Sequence, residues 1–518
     1  MHCNEVNLIG SKPIIVMESF NLEKKIVVSI VIAGIALSMV QFIYNRSIWL
    51  DEAMLSLNII HRSHLELLKP LDYNQAAPIL FLQIEKIFSQ LIPNSDFGLR
   101  IFPLICFLLS LFFFYKIVRA LHQNYYTIIF SLSLFVFNAT LIYYSSEVKQ
   151  YMTDVMILTG FYYLMLRENK NEKYKYYSLV IFGVIGIFLS NVTPIILFTC
   201  GMYLLVDIYQ NNRKSFPYLI AVSIIWSVVF LVYYILFIYN YPSLGTLQKF
   251  FSERNSFMPT YPFSIDFYNF FVWKWRMVFY SLFTFESISG ALLSILAFLG
   301  ILTLIRKKET GAVILITAPL VLHLLLSALK LYPVEKRTIL YTLPCIITSC
   351  SFGFNYLTNM LFTDLKIERF RLLAIFITLG LPFYFFKEGF PAKTWEIKKS
   401  IDFVNKNMLE NDKICLNDVS NVIFTYYRDI YFIKINSDKI IIDDHANLSD
   451  AKLIDPEFLK YSGGLNLLKG RVWFLFADMT NEHIRKNFVI NYCAMKGKKI
   501  VKEFHTTGSE VYLFDLGN

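Results

Sequence analysis

The sequence predicts an α-helical polytopic membrane protein of about 11 transmembrane helices, with interfacial helices in the first outer loop and a small C-terminal α/β soluble domain. Three observations carry this. Of the 518 residues, 56% are hydrophobic, 17% aromatic and only 17% charged, whereas a soluble chain carries about a quarter charged. Apolar runs close to the roughly 20 residues needed to cross hydrocarbon recur between short polar connections. After Phe386 the composition turns mixed and polar.

The runs that can span are Ile26 to Tyr44, Ile101 to Val118, Tyr125 to Tyr144, Met152 to Leu166, Tyr177 to Ser190, Thr193 to Ile208, Tyr218 to Ile238, Leu282 to Ile305, Ala312 to Leu329, Ile339 to Leu361 and Leu372 to Phe386. They lack the alternation of a membrane β-barrel, which leaves helices as the spanning element. The first run follows Lys24 and Lys25 without a small-residue cleavage site and reads as a retained helix. A further stretch, Ile79 to Ile92, is short and carries Glu85 and Lys86, so it reads as an interfacial helix. With it placed there, the loops bearing Lys116 and Arg119, Arg167 to Lys175, Arg213 and Lys214, Arg306 to Lys308, and Lys366 to Arg371 fall on one side. The positive-inside rule makes that side cytoplasmic. The formal charge of +10 therefore belongs to membrane topology and lipid headgroups, and nucleic acid is no partner. Seven scattered cysteines form neither a disulfide framework nor a zinc cluster.

The opposite face receives a long loop from Asn45 to Arg100, the turn Ser145 to Tyr151, a long loop from Tyr241 to Tyr280, and Tyr332 to Arg337. Residues 1–386 are thus read as the membrane domain and 387–518 as an α/β domain on the outer side of a cytoplasmic membrane. Within the latter, Trp395 to Met408 reads as a helix. Lys413 to Leu416, Lys439 to Ile442, Arg471 to Ala477, Lys498 to Phe504 and Glu510 to Phe514 read as strands.

Chemistry concentrates on the outer face. Ile48-Trp49-Leu50-Asp51-Glu52-Ala53 sets two carboxylates just past the first span, where they meet both a lipid headgroup and water. Transfer from a sugar phosphate to a hydroxyl needs a base for the acceptor proton, while phosphate departs as an anion with little acid assistance. Asp51 and Glu52 fit that requirement; equally, acids at a helix start complement its dipole. In Tyr143 to Tyr151, Glu147 can bind substrate hydroxyls, orient a base or hold a metal, with Lys149 and Tyr151 beside it; a solvated turn is the alternative. Tyr332, Lys336 and Arg337 precede another span, and the Arg337 guanidinium suits bidentate phosphate binding, or else snorkels to the interface. His61, His64 and Glu66 have helical spacing for a metal but read more simply as surface groups. Asp154 and His323 lie within spans and stay unassigned. Asp443-Asp444-His445 reads as a polar turn.

Together these clusters resemble the membrane glycosyltransferases of the C-type fold, in the family 39-like group that includes protein O-mannosyltransferases and bacterial lipid A aminoarabinose transferases. Asp51 and Glu52 match that group's Asp-Glu after the first span, and Gln75-Ala76-Ala77-Pro78 looks like its Pro-bearing stretch in the first outer loop. Arg100-Ile101-Phe102-Pro103 matches the Arg and Pro entering the second span. Tyr144-Ser145-Ser146-Glu147 matches the Tyr-Ser-x-Glu turn, with Lys149 where an Arg is usual. Arg337 with Pro344 matches the late Arg before a Pro-bearing span. The likeness runs roughly from Asn45 to Pro344. It implies an inverting transfer from a polyprenyl-phosphate-linked sugar with Asp51 as base. The remaining expectations are Gln75, Glu147, Lys149 and Tyr151 orienting substrate or a metal, and Tyr332, Lys336 and Arg337 holding donor phosphate. The acceptor is a lipid, glycan or protein, and membrane lipids surround the chain. No cofactor is certain, and a divalent metal is an open alternative. The competing readings are a flippase or transporter of lipid-linked sugars, which needs polar groups along a path through the membrane, and a non-catalytic scaffold.

Overall fold

The structure is a computed structural model. It describes residues 12–361 apart from 123, 168–171, 240, 243, 282 and 284–286, and beyond them 380, 389–393, 395–431, 435, 437–443, 465, 468–477 and 479–517. Chain order is α1 (Lys12–Tyr44), α2 (Leu50–His61), α3 (Ile79–Leu91), α4 (Asp96–Leu121), α5 (Tyr125–Val136), α6 (Ala139–Tyr144), α7 (Tyr151–Leu166), α8 (Glu172–Leu189), α9 (Thr193–Asn211) and α10 (Phe216–Tyr233). Next come α11 (Leu244–Glu253), α12 (Ile265–Arg276), α13 (Ser287–Arg306), α14 (Thr310–Ala328) and α15 (Leu343–Leu361). The C-terminal part adds α16 (Ile397–Asn407), α17 (Asp418–Tyr431) and α18 (Met479–Met495) around a five-stranded sheet.

Among the described residues, six helical stretches are long and apolar enough to cross a membrane: Glu23–Tyr44, Asp96–Leu121, Thr193–Asn211, Arg213–Ile238, Ser289–Arg306 and Thr310–Ala328. Shorter apolar helices at Tyr125–Val136 and Tyr151–Leu166 accompany them. The chain is a mostly helical, multi-pass membrane protein with a small C-terminal sheet. The expected span Leu372 to Phe386 lies outside the described residues.

The run expected as one span from Tyr125 to Tyr144 is divided into α5 and α6. The Asn138 side chain accepts a hydrogen bond from Leu141 N at 2.9 Å, and a capping Asn competes with helix continuation. At 13 residues α3 is about 20 Å long, short of a bilayer core of about 30 Å. Its two charged residues turn inward: Glu85 is fully buried, and Lys86 Nζ donates to Ile60 O at 2.8 Å, tying α3 to the end of α2. Helices α13 and α15 approach closely because a Cβ on Gly300 would strike the Ser349 carbonyl and one on Gly353 the Leu296 carbonyl. Small residues at such crossings let helix backbones meet in lipid, where water exclusion supplies no force between them.

The sheet order is β2-β1-β3-β5-β4, with β1 (Lys413–Asn417), β2 (Ile440–Asp443), β3 (Arg471–Ala477), β4 (Ile500–Thr506) and β5 (Ser509–Asp515). The pairs β1/β2 and β1/β3 are parallel; β3/β5 and the hairpin β4/β5 are antiparallel. All five strands lie at or within a few residues of their sequence-predicted positions, as does α16. The amphipathic helix α17 and the helix α18 were not anticipated. Helix α17 buries Ile423, Phe424, Tyr426, Tyr427 and Ile430, and this face packs against α2, the helix that carries Asp51.

Candidate active site

The site begins where α1 ends. Asn45 takes a left-handed conformation (φ 48°) that turns the chain out of the first span. From α4, the buried Arg100 Nη1 donates to Asn45 Oδ1 at 2.8 Å and to Arg46 O at 2.7 Å, fixing that turn. The entry to α2 is thus held by a guanidinium one turn into α4.

Asp51 and Glu52 both lie in the first turn of α2, about 100° apart around its axis, and they face different surroundings. Glu52 is fully buried. Its Oε2 accepts from Arg46 Nη1 at 2.7 Å and from Trp49 N at 3.4 Å, and its Oε1 accepts from Val148 N at 3.0 Å, with Arg100 Nη2 3.8 Å away. That carboxylate joins the first outer loop to the Ser145–Tyr151 turn. Asp51 instead forms an ion pair with Arg337, and both side chains keep about a fifth to a quarter of their surface exposed, at 26% and 20%.

The turn supplies Glu147, Lys149 and Tyr151. Lys149 is buried and its Nζ donates to Gln75 Oε1 at 2.7 Å, so Gln75 from the first loop and Lys149 from the turn meet as a pair. Tyr241 OH donates to Gln75 O at 2.6 Å, which ties in the start of the long outer loop. Glu147 lies 3.8 Å from Arg46 Nη2, and the Arg46 guanidinium sits over the Tyr143 ring at 4.3 Å. Tyr151 packs edge-on to Tyr144 with ring centroids 5.5 Å apart.

The Tyr332–Arg337 segment is braced from both sides. His323 Nε2 and the Pro333 carbonyl are 3.0 Å apart, and the Tyr332 ring stands edge-on to His323. Thr338 Oγ1 donates to Pro333 O at 2.6 Å, Val334 N donates to Ser256 O at 2.7 Å, and Lys274 pairs with Glu335 at 3.5 Å. Lys336 faces elsewhere, lining a cavity of about 270 Å³ with Gln41, Tyr143, Tyr144 and Phe390. So of the three residues expected on phosphate, Arg337 stands against Asp51, Tyr332 against His323 and Lys336 against this cavity.

The charges shape one another. Burial pushes the Asp51 carboxyl up, but Lys149, Arg337 and Arg254 together outweigh it and hold the group below the usual aspartate range. Burial, reinforced by the charge of Glu52, raises Glu147 to about 7 against the opposing pull of Arg46, Lys149 and Arg337. Burial and the neighbouring Arg337 lower Lys149, with Asp51 opposing them. The site therefore holds an aspartate kept low by neighbouring cations, with a glutamate raised by burial behind it.

His61, His64 and Glu66 do not converge on one point. His61 Nε2 reaches Asp429 Oδ2 at 3.1 Å, His64 Nδ1 reaches Gln83 Oε1 at 2.5 Å, and Glu66 caps Ser63 at 2.8 Å. Among the described residues no group of three or more His, Cys, Asp or Glu is placed to hold a metal ion. Asp444 and His445 lie outside the described residues. Within the bundle, Ser190 Oγ donates to Asp154 Oδ1 at 2.6 Å. Arg46 was missed from sequence: one Arg at the end of an apolar run looks like an interfacial anchor, and nothing local marks it as the partner of Glu52 and Glu147.

A family model described as dolichyl-phosphate-mannose-protein mannosyltransferase matches residues 76–235. Among solved structures, the chain is similar to ArnT from Cupriavidus metallidurans bound to undecaprenyl phosphate, with a TM-score of 0.52 at 10% identity, covering 93% of this chain and 97% of that one. It is likewise similar to the apo form of the same protein, with a TM-score of 0.50 at 12% identity and the same coverage. Its sequence matches no curated protein. In fold over nearly the whole chain, and in sequence over residues 76–235, the chain resembles the C-type-fold membrane glycosyltransferases of the protein O-mannosyltransferase and aminoarabinose transferase group.

Proposed function

We propose that this protein is an inverting glycosyltransferase that moves a sugar from a polyprenyl-phosphate donor to an acceptor hydroxyl at the outer face of the cytoplasmic membrane. The observation that carries the reading is the Asp51–Arg337 ion pair, with the buried Lys149 close by. A base and two phosphate-binding cations then stand within one small, partly open site. The fold likeness to a protein whose crystal contains undecaprenyl phosphate supports the same chemistry.

In this mechanism the acceptor oxygen attacks the anomeric carbon from the face opposite the phosphate. Its proton passes to Asp51 as the new C–O bond forms. The bond between the anomeric carbon and the phosphate oxygen breaks, and its electron pair leaves on the polyprenyl phosphate. Arg337 and Lys149 stabilise that growing charge, which is larger in the transition state than in the bound donor. A donor phosphate that draws Arg337 away from Asp51 also removes the charge that depresses the aspartate, so the base strengthens when donor is bound. Glu147, behind Arg46, keeps the turn in place, and Gln75 orients Lys149.

The C-terminal α/β domain, residues 387–518, lies on the same outer side in this reading. The transporter alternative is disfavoured by Asp154 and His323, which are engaged locally, Asp154 with Ser190 and His323 with Tyr341 and Pro333.

The test uses purified full-length protein in nanodiscs with radiolabelled undecaprenyl-phosphate mannose and undecaprenyl-phosphate aminoarabinose, and membrane lipids, glycans and proteins as acceptors. Acceptor-dependent release of undecaprenyl phosphate, lost in Asp51→Asn, is the expected result. Movement of intact donor across vesicle membranes without release of the carrier overturns the reading in favour of a transporter.

A further inference from the structure

The loop that leads into α2 is gripped from the C-terminal part of the chain as well as from α4. Tyr427, on the buried face of α17, accepts a hydrogen bond from Ile48 N at 2.7 Å through its phenol oxygen. Ile48 is fully buried and Tyr427 is 1% exposed, so water does not substitute for that oxygen. One residue earlier, Lys398 N donates to Ser47 Oγ at 3.2 Å. Helix α17 is itself anchored to the first residue of α4: Tyr426 OH donates to Asp96 Oδ1 at 2.7 Å, Tyr431 OH to Asp96 Oδ2 at 2.8 Å, and Lys398 Nζ reaches Asp96 Oδ2 at 3.1 Å. At the far end of α2, His61 meets Asp429 of the same α17 at 3.1 Å.

Helix α17 therefore packs against α2 and reaches both its ends through Tyr427 and Asp429, while α4 supplies the common base through Asp96 and Arg100. Two residues separate Ile48 from Asp51: Trp49, which caps the helix, and Leu50, which begins it. Where that helix starts decides where the Asp51 carboxylate points relative to Arg337 and Lys149.

We propose that Tyr427 is a positioning residue for catalysis: by fixing the Ile48 amide, it sets the start of α2 and hence the placement of Asp51 against Arg337. This rests on Asp51 being the base. It also gives the C-terminal α/β region a part in the reaction, since the membrane bundle's acidic residue is aligned from a helix packed on β1 and β3.

Losing the phenol oxygen leaves a buried N–H without its acceptor and frees the loop to shift. Displacements of about 1 Å at a reacting group cost up to about 100-fold in rate. The test compares Tyr427→Phe, Tyr431→Phe and Asp51→Asn in the full-length protein, alone and in the Tyr427→Phe, Asp51→Asn double variant.

Hydrogen exchange, which needs no substrate, reads the backbone. Tyr427→Phe should speed exchange in residues 45–50 by about tenfold or more while β1 and β3 keep wild-type protection. With the undecaprenyl-phosphate sugar that supports wild-type turnover, Tyr427→Phe should lower kcat by about tenfold or more and leave the donor KM within about twofold. In the Asp51→Asn background it should cost nothing further, because the group it aligns is gone. Tyr431→Phe, which loses a bond to Asp96 but touches no part of the loop, should stay within about twofold of wild type.

The proposal is overturned if Tyr427→Phe exchanges like wild type at residues 45–50, or if exchange rises equally throughout the sheet. It is equally overturned if kcat is unchanged while Asp51→Asn shows its loss. Wild-type turnover in Asp51→Asn would instead strike down the base assignment, and the exchange result would still decide whether Tyr427 fixes the loop.

Discussion

Arg337 pairs with Asp51 across 286 residues of sequence, joining the segment before one helix of the bundle to the first turn past another. This cation and this carboxylate neutralise each other. In the proposed reaction a donor phosphate competes for the guanidinium. Arg337→Ala should lower kcat by about 100- to 1,000-fold, the scale for losing a preorganised donor to developing charge, and weaken donor binding far less. Arg337→Lys should recover only part, because an ammonium does not reproduce the bidentate fork. Steady-state kinetics with separate donor-binding measurements check this; equal losses in binding and rate would show that Arg337 holds the ground state only.

Asp51→Asn should reduce turnover by about 100-fold or more, the scale for losing a general base, with donor affinity retained. The pH profile adds a signed test. Lys149, Arg337 and Arg254 outweigh burial and hold Asp51 below its usual range, so the acid limb of kcat/KM in the wild-type protein should lie below the ordinary aspartate range. Because the folded-state value is depressed, the stability from this group is present above the unfolded value and is lost as pH falls through the folded one. Lys149→Gln removes one of the three charges that depress Asp51, and the acid limb should move to higher pH. A limb that stays in place, followed down through the ordinary aspartate range, would detach Lys149 from the base.

Glu52 makes the opposite kind of prediction from its neighbour. It compensates Arg46 and Arg100 in a buried network, and removing one partner of such a network strands charge away from water at a cost of about 3–5 kcal/mol. Glu52→Ala should therefore lower thermal stability sharply and reduce yield of folded protein, whereas Asp51→Asn, at the open edge of the site, should not. Thermal unfolding in a single detergent compares the two; similar stabilities would mean that the Arg46–Glu52 pair contributes little.

The side assigned to each loop is open to labelling. The described cysteines are all buried, and Cys3, outside the described residues, is replaced by Ser so that it adds no background label. Introduced Asp72→Cys should react with an impermeant maleimide added from outside, and Lys173→Cys should react only after permeabilisation. The reverse pattern would put the Asp51 site on the cytoplasmic face and exclude an acceptor on the outer side.

Much of this was legible because it is local. A transmembrane helix is written in about 20 consecutive residues, and the strands of the C-terminal sheet in their alternation and β-branched content. Asp51, Glu147 and Arg337 also stood out in sequence, since ionisable residues clustered at the ends of apolar runs need a reason to be there. By contrast, α17 was not anticipated because its run Val422-Ile423-Phe424-Thr425-Tyr426-Tyr427 is rich in the β-branched and aromatic residues that favour strands, and its helical face finds its partner only in α2.

By itself, then, the sequence determined that this chain is helical, lies in a membrane and carries acidic and basic clusters at span ends, since hydrophobicity and periodicity are properties of neighbouring residues. Only the tertiary structure decided which member of the Asp51-Glu52 pair turns inward onto Arg46 and which meets Arg337. It alone revealed Tyr427 beneath Ile48. The physical reason is that two carboxylates adjacent in sequence are chemically alike, and their difference arises from cations, amides and solvent brought to them by segments far along the chain.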